Sequence, residues 1–198
     1  MKYPVMEQFQ TLQGEGVFAG HSAYFIRLGG CDVGCVWCDV KESWDVNAHP
    51  ILALEDILTK VKESPSHIVV ITGGEPTMHD LKPLCNGIQE LGKKAHIETA
   101  GTNTIEEDLD WVCLSPKKFK DVLPSEIGKA NELKVIIFNK SDFDWARTFE
   151  NKVNKNCVLT VQPEWSKQDK LMPQIISFVE NNPNWKLSLQ THKYLGIE

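Results

Sequence analysis

Three cysteine residues near the start of the chain have a spacing suited to holding an iron–sulfur cluster. Cys31, Cys35 and Cys38 form a CxxxCxxC pattern. An electron-carrying 4Fe–4S cluster usually has four cysteine ligands, and a structural zinc ion also has four ligands. Three thiolates therefore leave one iron open to an outside ligand, such as the amino and carboxylate groups of S-adenosylmethionine (SAM). The alternative is a zinc knuckle completed by a distant group such as His49 or Cys85.

Other residues that could bind a ligand follow or interrupt apolar segments. The run GGEP at residues 73–76 follows a buried strand, and glycines there let a backbone approach a ligand closely; the alternative is an ordinary strand-end turn. Lys117 ends a further strand and is either a ligand-binding cation or a surface charge. Arg27 lies in an apolar strand, where it either binds an anionic ligand or forms a structural ion pair.

The elements that position these residues alternate between strands and helices. Leu171, Ile175 and Phe178 recur at helical spacing within residues 167–181, as do apolar residues from Leu54 to Val61. This alternation predicts an α/β fold with a mostly parallel sheet, either open or curled into a partial barrel, with its chemistry at the carboxyl ends of the strands. The predicted strands are 22–28, 67–72, 95–99, 111–115, 132–138, 157–162 and 186–190.

Length and charge restrict the class of protein. A chain of 198 residues with 41% hydrophobic residues fits one compact domain, residues 1–198. The net charge of -6 disfavours a broad nucleic-acid surface and favours a small-molecule substrate. No apolar run reaches the roughly 20 residues of a membrane span, so we expect a cytoplasmic protein that does not contact membranes. Cys85, Cys113 and Cys157 are isolated and are expected to be ordinary buried thiols.

The sequence resembles the 7-carboxy-7-deazaguanine synthase family of the deazapurine (queuosine) pathway, within the radical SAM superfamily. The matching segments are TLQGEG at residues 11–16, FIRL at 25–28 and the cysteine loop through Asp39, and further matches extend to the last residues. The resemblance implies a partial, mostly parallel (β/α) barrel of the radical SAM type, reduced in size. It also implies a lyase that uses a 4Fe–4S cluster and SAM as a catalytic cofactor.

The resemblance assigns further residues to the cofactor. Trp37 would lie beside the adenine of SAM, although an aromatic residue there also suits plain core packing. Ala100 stands where the family often has Asn, so a side-chain hydrogen bond is lost at that position. The residues implied in SAM binding are Trp37, Cys38, Asp39, Gly73, Gly74, Glu75, Ser115, Pro116, Lys117 and Gln162.

The substrate implied by the resemblance is 6-carboxy-5,6,7,8-tetrahydropterin, which has a guanidine-like edge and a carboxylate. Glu15 and nearby backbone groups would accept hydrogen bonds from the edge, and Arg27 would pair with the carboxylate. The implied substrate residues are Leu12, Gln13, Gly14, Glu15, Arg27, Thr72, His192 and Glu198.

One position departs from the family. The residue after Cys38-Asp39 is commonly Thr, whose hydroxyl helps to hold Mg²⁺, but here it is Val40, which has no side-chain oxygen. The Mg²⁺ is then either absent or held by water, substrate and a neighbour such as Asp39 or Ser43.

The implied reaction abstracts hydrogen from C6 of the pterin with a 5'-deoxyadenosyl radical, contracts the ring and releases ammonia. The expected partners are a flavodoxin-like or other one-electron donor and a second copy of the chain in a homodimer. Whether the product serves tRNA modification or a secondary pathway stays open. The alternatives are a glycyl-radical activating enzyme and a non-catalytic iron–sulfur or zinc module.

Overall fold

The computed structural model describes residues 1–106 and 108–198, and within them nine strands form one open sheet. The order across the sheet is β3-β1-β2-β4-β5-β6-β7-β8-β9. The first two pairings, β3 with β1 and β1 with β2, are antiparallel, and all later neighbours are parallel. The strands are β1 (Lys2–Leu12), β2 (Ser22–Leu28), β3 (Ile51–Ala53), β4 (Ile68–Gly73), β5 (Lys94–Thr99), β6 (Trp111–Leu114), β7 (Glu132–Ile137), β8 (Val158–Pro163) and β9 (Trp185–Leu187).

Helices connect the parallel strands, as expected for crossovers between them, except that no helix of the described residues lies between β5 and β6. Two of them, α1 and α5, correspond to helices predicted from apolar spacing. No helix in the described residues is long and apolar enough to cross a membrane. The helices are α1 (Leu54–Glu63), α2 (Lys82–Glu90), α3 (Pro124–Ile127), α4 (Ser141–Arg147), α5 (Gln168–Asn181) and α6 (Thr191–Leu195).

The two faces of the sheet have different roles, because successive side chains of a strand point to opposite faces. On β4, Val69 and Ile71 belong to the main core cluster, which also contains residues of α1 and α2. Val70 belongs to a separate small cluster, and Thr72 on the same face lines a large cavity. On β7, Leu133 and Val135 pack into a second core with residues of α4 and α5. One face is therefore covered by helices, and the other carries the cavity.

The predicted fold class is confirmed, with three differences towards the edges of the sheet: β1 and β3 are not among the predicted strands, and the last predicted strand is displaced. The longest strand, β1, was missed because Glu7, Gln8 and Gln10 interrupt its apolar pattern. It pairs with both β2 and β3, and several of its polar residues lie towards the cavity or the surface. The last predicted strand, residues 186–190, forms as Trp185–Leu187. It ends there because the hydroxyl of Ser188 turns inward and donates to Gln162 Oε1 at 2.7 Å.

Candidate active site

The cysteine loop leaves the carboxyl end of β2 and is held by backbone hydrogen bonds on both sides. Gly30 N donates to Ser43 O at 2.7 Å, and Glu75 N donates to Gly30 O at 2.8 Å. Cys35 is buried and Cys31 and Cys38 are partly buried, and all three line the same end of the cavity. Burial raises the pKa of the Cys35 thiol to about 11, although the nearby Lys117 ammonium opposes this shift. Binding iron would therefore release protons from this loop.

The three thiols of the cysteine loop do not converge on a single metal position among the described residues. Within residues 1–106 and 108–198, no set of three or more His, Cys, Asp or Glu side chains is placed to hold one metal ion. A 4Fe–4S cluster presents a separate iron to each thiolate, so its ligands need not converge on one point. Of the candidate fourth zinc ligands, His49 Nε2 lies 2.9 Å from Glu42 O, and Cys85 is in the main core cluster.

The loop after β4 packs tightly against the cysteine loop. A Cβ at Gly74 would lie 2.2 Å from Gly30 O and 2.7 Å from Cys31 Cβ. Glu75 is buried, and its carboxylate accepts hydrogen bonds from Thr77 and Thr99 and from Ala100 N. The side chain of Glu75 thus ties this loop to the end of β5, and contact of the loop with SAM stays a prediction.

Replacing Gly74 with alanine is expected to lower the free energy of unfolding by about 1–3 kcal/mol, because the added methyl group overlaps backbone atoms of the cysteine loop. Urea unfolding would measure this change, and iron content after reconstitution should fall as the loop is displaced. Gly128→Ala is the matched control, since nothing lies within 4 Å of its Cβ position and its φ is -71°. Equal unfolding midpoints for the two variants would contradict the predicted clash.

The residues predicted to hold SAM line the same cavity as the cysteines, with one exception. Lys117 Nζ donates to Ser115 O at 2.5 Å and to Ser115 Oγ at 2.6 Å, and lies 5.8 Å from the centre of the Trp37 ring. Burial lowers the pKa of Lys117, and the neighbouring Cys35 opposes that shift. Gln162 also lines the cavity, whereas Pro116 is buried and does not.

Arg27 forms an ion pair and also faces the cavity. Its Nε donates to Glu7 Oε1 at 2.6 Å, and the arginine side chain is 19% exposed. Within residues 1–106 and 108–198, the two terminal nitrogens of Arg27 have no hydrogen-bond partner. Of the two roles that the sequence allowed for Arg27, the structural ion pair is therefore present. The two terminal nitrogens needed for bidentate binding of a carboxylate remain available.

A buried charge network surrounds Glu15. Lys134 Nζ lies 2.5 Å from Glu15 Oε2 and 3.1 Å from Glu98 Oε2. Gln13 Nε2 donates to Glu98 Oε1 at 2.9 Å, and Gln190 Nε2 donates to Glu15 Oε1 at 2.8 Å. Burial alone would raise the pKa of Glu15, but the charge and hydrogen bond of Lys134, with smaller contributions from amide donors, lower it to about 2. Glu15 is consequently an ionised acceptor at neutral pH.

The C-terminal segment packs against the end of β1 and the residues after it, and it lines the cavity. Thr191 N donates to Gly14 O at 2.8 Å, and the His192 ring lies so close to Gly14 that a Cβ there would be 2.1 Å from Nδ1. Burial lowers the pKa of His192, which favours its neutral form. Glu198 O accepts a hydrogen bond from Thr11 Oγ1 at 2.7 Å. These contacts place residues far apart in the sequence around one cavity.

That cavity has a volume of about 570 Å³, in the range of small-molecule sites. All the predicted site residues except Pro116 line it, including Leu12, Asp39, Val40 and Gly73. Sequence reasoning missed several charged or amide residues that also line it, and the alternation of polar residues along β7 was a signal for one of them. The missed residues are Glu7, Glu98, Lys134, Glu164, Gln190 and Lys193.

An open, mostly parallel α/β sheet with a three-cysteine loop at its carboxyl edge defines the class of radical SAM proteins, and the radical SAM superfamily profile matches residues 25–123. Among similar proteins, the 7-carboxy-7-deazaguanine synthase of Flavobacterium psychrophilum is 48% identical over 98% of this chain and 92% of its own. That of Synechocystis is 44% identical over 100% of this chain and 94% of its own. The crystal structure of QueE from Escherichia coli superposes with a TM-score of 0.86 at 35% identity, covering 97% of this chain and 95% of that one. The chain belongs to the 7-carboxy-7-deazaguanine synthase family.

Proposed function

We propose that the protein is a radical SAM lyase that converts 6-carboxy-5,6,7,8-tetrahydropterin into 7-carboxy-7-deazaguanine and ammonia. The observation that carries this proposal is one cavity with the three cysteines at one end and Arg27 and Glu15 among its other lining residues. Substrate and product differ by one molecule of ammonia, so the overall conversion needs no net oxidant. A glycyl-radical activating enzyme, which acts on a protein, would have little use for these two side chains.

Cys31, Cys35 and Cys38 would hold the cluster, and the nearby Trp37, Gly73, Ser115, Lys117 and Gln162 would hold SAM. When the cluster and SAM are both bound, they supply a carbon radical that abstracts hydrogen from the substrate. The protein would orient the substrate, and binding within the cavity would shield the reacting atoms from water.

The substrate would bind with its two polar ends at different side chains. Arg27 would donate two parallel hydrogen bonds to the carboxylate, because its terminal nitrogens are free while Glu7 fixes Nε. Glu15 would accept from the guanidine-like edge, since Lys134 keeps it ionised. His192 packs against Gly14 and would cover one face of the ring.

The residues around position 40 do not suit a Mg²⁺ ion held by protein side chains. Val40 offers no side-chain oxygen, and the hydroxyl of Ser43 donates to Val40 O at 2.7 Å. The Asp39 carboxylate accepts from Lys193 Nζ at 2.8 Å and from Gln190 Nε2 at 3.4 Å. We therefore infer that catalysis by this chain does not depend on Mg²⁺ bound by residue 40.

The test is anaerobic reconstitution with iron and sulfide, followed by addition of SAM, a reductant and 6-carboxytetrahydropterin, with products followed by mass spectrometry. We expect 7-carboxy-7-deazaguanine with SAM largely conserved, and rates within about twofold with Mg²⁺ and with EDTA, because Val40 supplies no oxygen ligand to Mg²⁺. Val40→Thr should introduce a response to Mg²⁺. Cleavage of SAM with untouched pterin would refute the substrate, and loss of activity in EDTA would refute the inference on Mg²⁺.

The remaining assignments complete the proposal. The enzyme would receive electrons from a flavodoxin-like or other one-electron donor, act as a cytoplasmic homodimer of one-domain chains, and bind neither nucleic acid nor membrane. Its product would enter the queuosine pathway of tRNA modification. Size-exclusion chromatography with light scattering measures the oligomeric state directly.

A further inference from the structure

Lys134 lies on the cavity face of β7 and is almost completely enclosed. Its side chain is 3% exposed, and its ammonium contacts two carboxylates from different parts of the chain, Glu15 at 2.5 Å and Glu98 at 3.1 Å. A buried ammonium is costly unless it is paired. Lys134 is paired with both carboxylates, and its ammonium also holds the two carboxylates in place.

The network has one more negative than positive charge, because a single ammonium lies between two carboxylates. Gln13 links the same two acids, since its Oε1 accepts from Glu15 N at 3.0 Å and its Nε2 donates to Glu98. A carboxylate has about four acceptor positions, so each acid can accept further hydrogen bonds from a ligand. This part of the cavity therefore favours a ligand edge made of donors.

We propose that Lys134 is a specificity-determining positioning residue, which keeps Glu15 and Glu98 together as acceptors and so restricts this part of the cavity to a donor edge such as the 2-amino edge of a pterin. The inference rests on the proposed function. Lys134 acts through the two acids and need not touch the substrate.

The physical reason is the repulsion between the two acids. Without the ammonium, the two partly buried carboxylates repel each other, and this repulsion favours the uptake of a proton by the pair. A protonated carboxyl group donates a hydrogen bond. It could therefore bind a ligand that has an oxo group where the pterin has its amino group. Removing Lys134 should therefore relax discrimination in addition to weakening binding.

The test compares two ligands by calorimetric titration of the reconstituted enzyme: 6-carboxypterin, which has the 2-amino group, and 6-carboxylumazine, which has an oxo group there and a hydrogen on the adjacent ring nitrogen. The wild type should prefer the pterin by at least about 100-fold, because a mismatched ligand leaves buried acceptors unpaired. Lys134→Met should reduce the preference below about tenfold, and Lys134→Arg should restore it. Lys94→Met is the matched control, since it breaks an exposed pair with Asp110 at 2.7 Å, and it should preserve the preference.

Each outcome has a distinct meaning. If Lys134→Met weakens both ligands equally and the preference is kept, Lys134 has only a structural role and the inference is overturned. If the wild type binds neither ligand, the proposed substrate fails and the inference fails with it.

Wild-type protein provides a second test should Lys134→Met not fold. The preference should be the same at pH 5 and pH 7, because Lys134 keeps Glu15 ionised throughout that interval. A preference that disappears at pH 5 would overturn the inference. The other titratable groups around Glu15 and Lys134 act on both ligands alike and cancel in the ratio; they are Asp39, Cys113, Lys117, Glu132 and His192.

Discussion

Replacing Cys35 with alanine is expected to abolish the reductive cleavage of SAM. Cys35 is 7% exposed at the closed end of the cavity, and Cys31 and Cys38 alone would leave the cluster without one of its three protein ligands. The iron that binds SAM has no thiolate of its own, so the loss of a further ligand should make the cluster labile. The measurements are the iron and sulfide content after reconstitution and the formation of 5'-deoxyadenosine.

Cys157→Ala is the matched control for this experiment. Cys157 is half-buried and lies outside the cavity, with its Sγ 3.7 Å from Val158 O. This variant should retain about four irons per chain and should cleave SAM at the wild-type rate. Cleavage by the Cys35 variant, or equal iron loss in both variants, would contradict the assignment of the cluster to the cysteine loop.

Replacing Arg27 with methionine is expected to lower kcat/KM for the carboxylated pterin by about 100- to 1,000-fold, since two charge-assisted hydrogen bonds are lost. The fold should tolerate the change, because Glu7 is 36% exposed and can be solvated when its partner is removed. Binding of 6-carboxypterin and of pterin without the carboxylate, measured side by side, separates recognition from structure. Only the carboxylated ligand should bind more weakly.

Arg147→Met provides the comparison for the loss of an arginine charge. Arg147 is 49% exposed and forms a long contact of 3.8 Å with Asp144 on α4. The Arg147→Met variant should bind 6-carboxypterin and pterin as the wild type does. If the Arg27 variant weakens both pterins equally, the pair with Glu7 is structural and the carboxylate is bound elsewhere.

The interior pattern of the strands was readable from the sequence because a strand alternates its side chains with a period of two. Apolar runs identified most parallel strands, and helical spacing identified α1 and α5. Strand β1 escaped because half of its residues are polar, and they are polar because they face the site or the surface rather than a core. The apolar alternation of the strands was thus irregular in β1, which contributes residues to the lining of the cavity.

The cysteine loop could be predicted from the sequence itself, because its three candidate ligands lie within one short segment. The charge network around Glu15 was decided only by the tertiary structure. Lys134 is 119 residues from Glu15 in the chain, and Gln190 is 175 residues away. Contacts over such separations depend on the register of parallel strands and on where the C-terminal segment returns, and neither is encoded by local spacing. The sequence alone therefore indicated the candidate ligands of a cluster, whereas folding assembled the acceptors that would recognise the substrate.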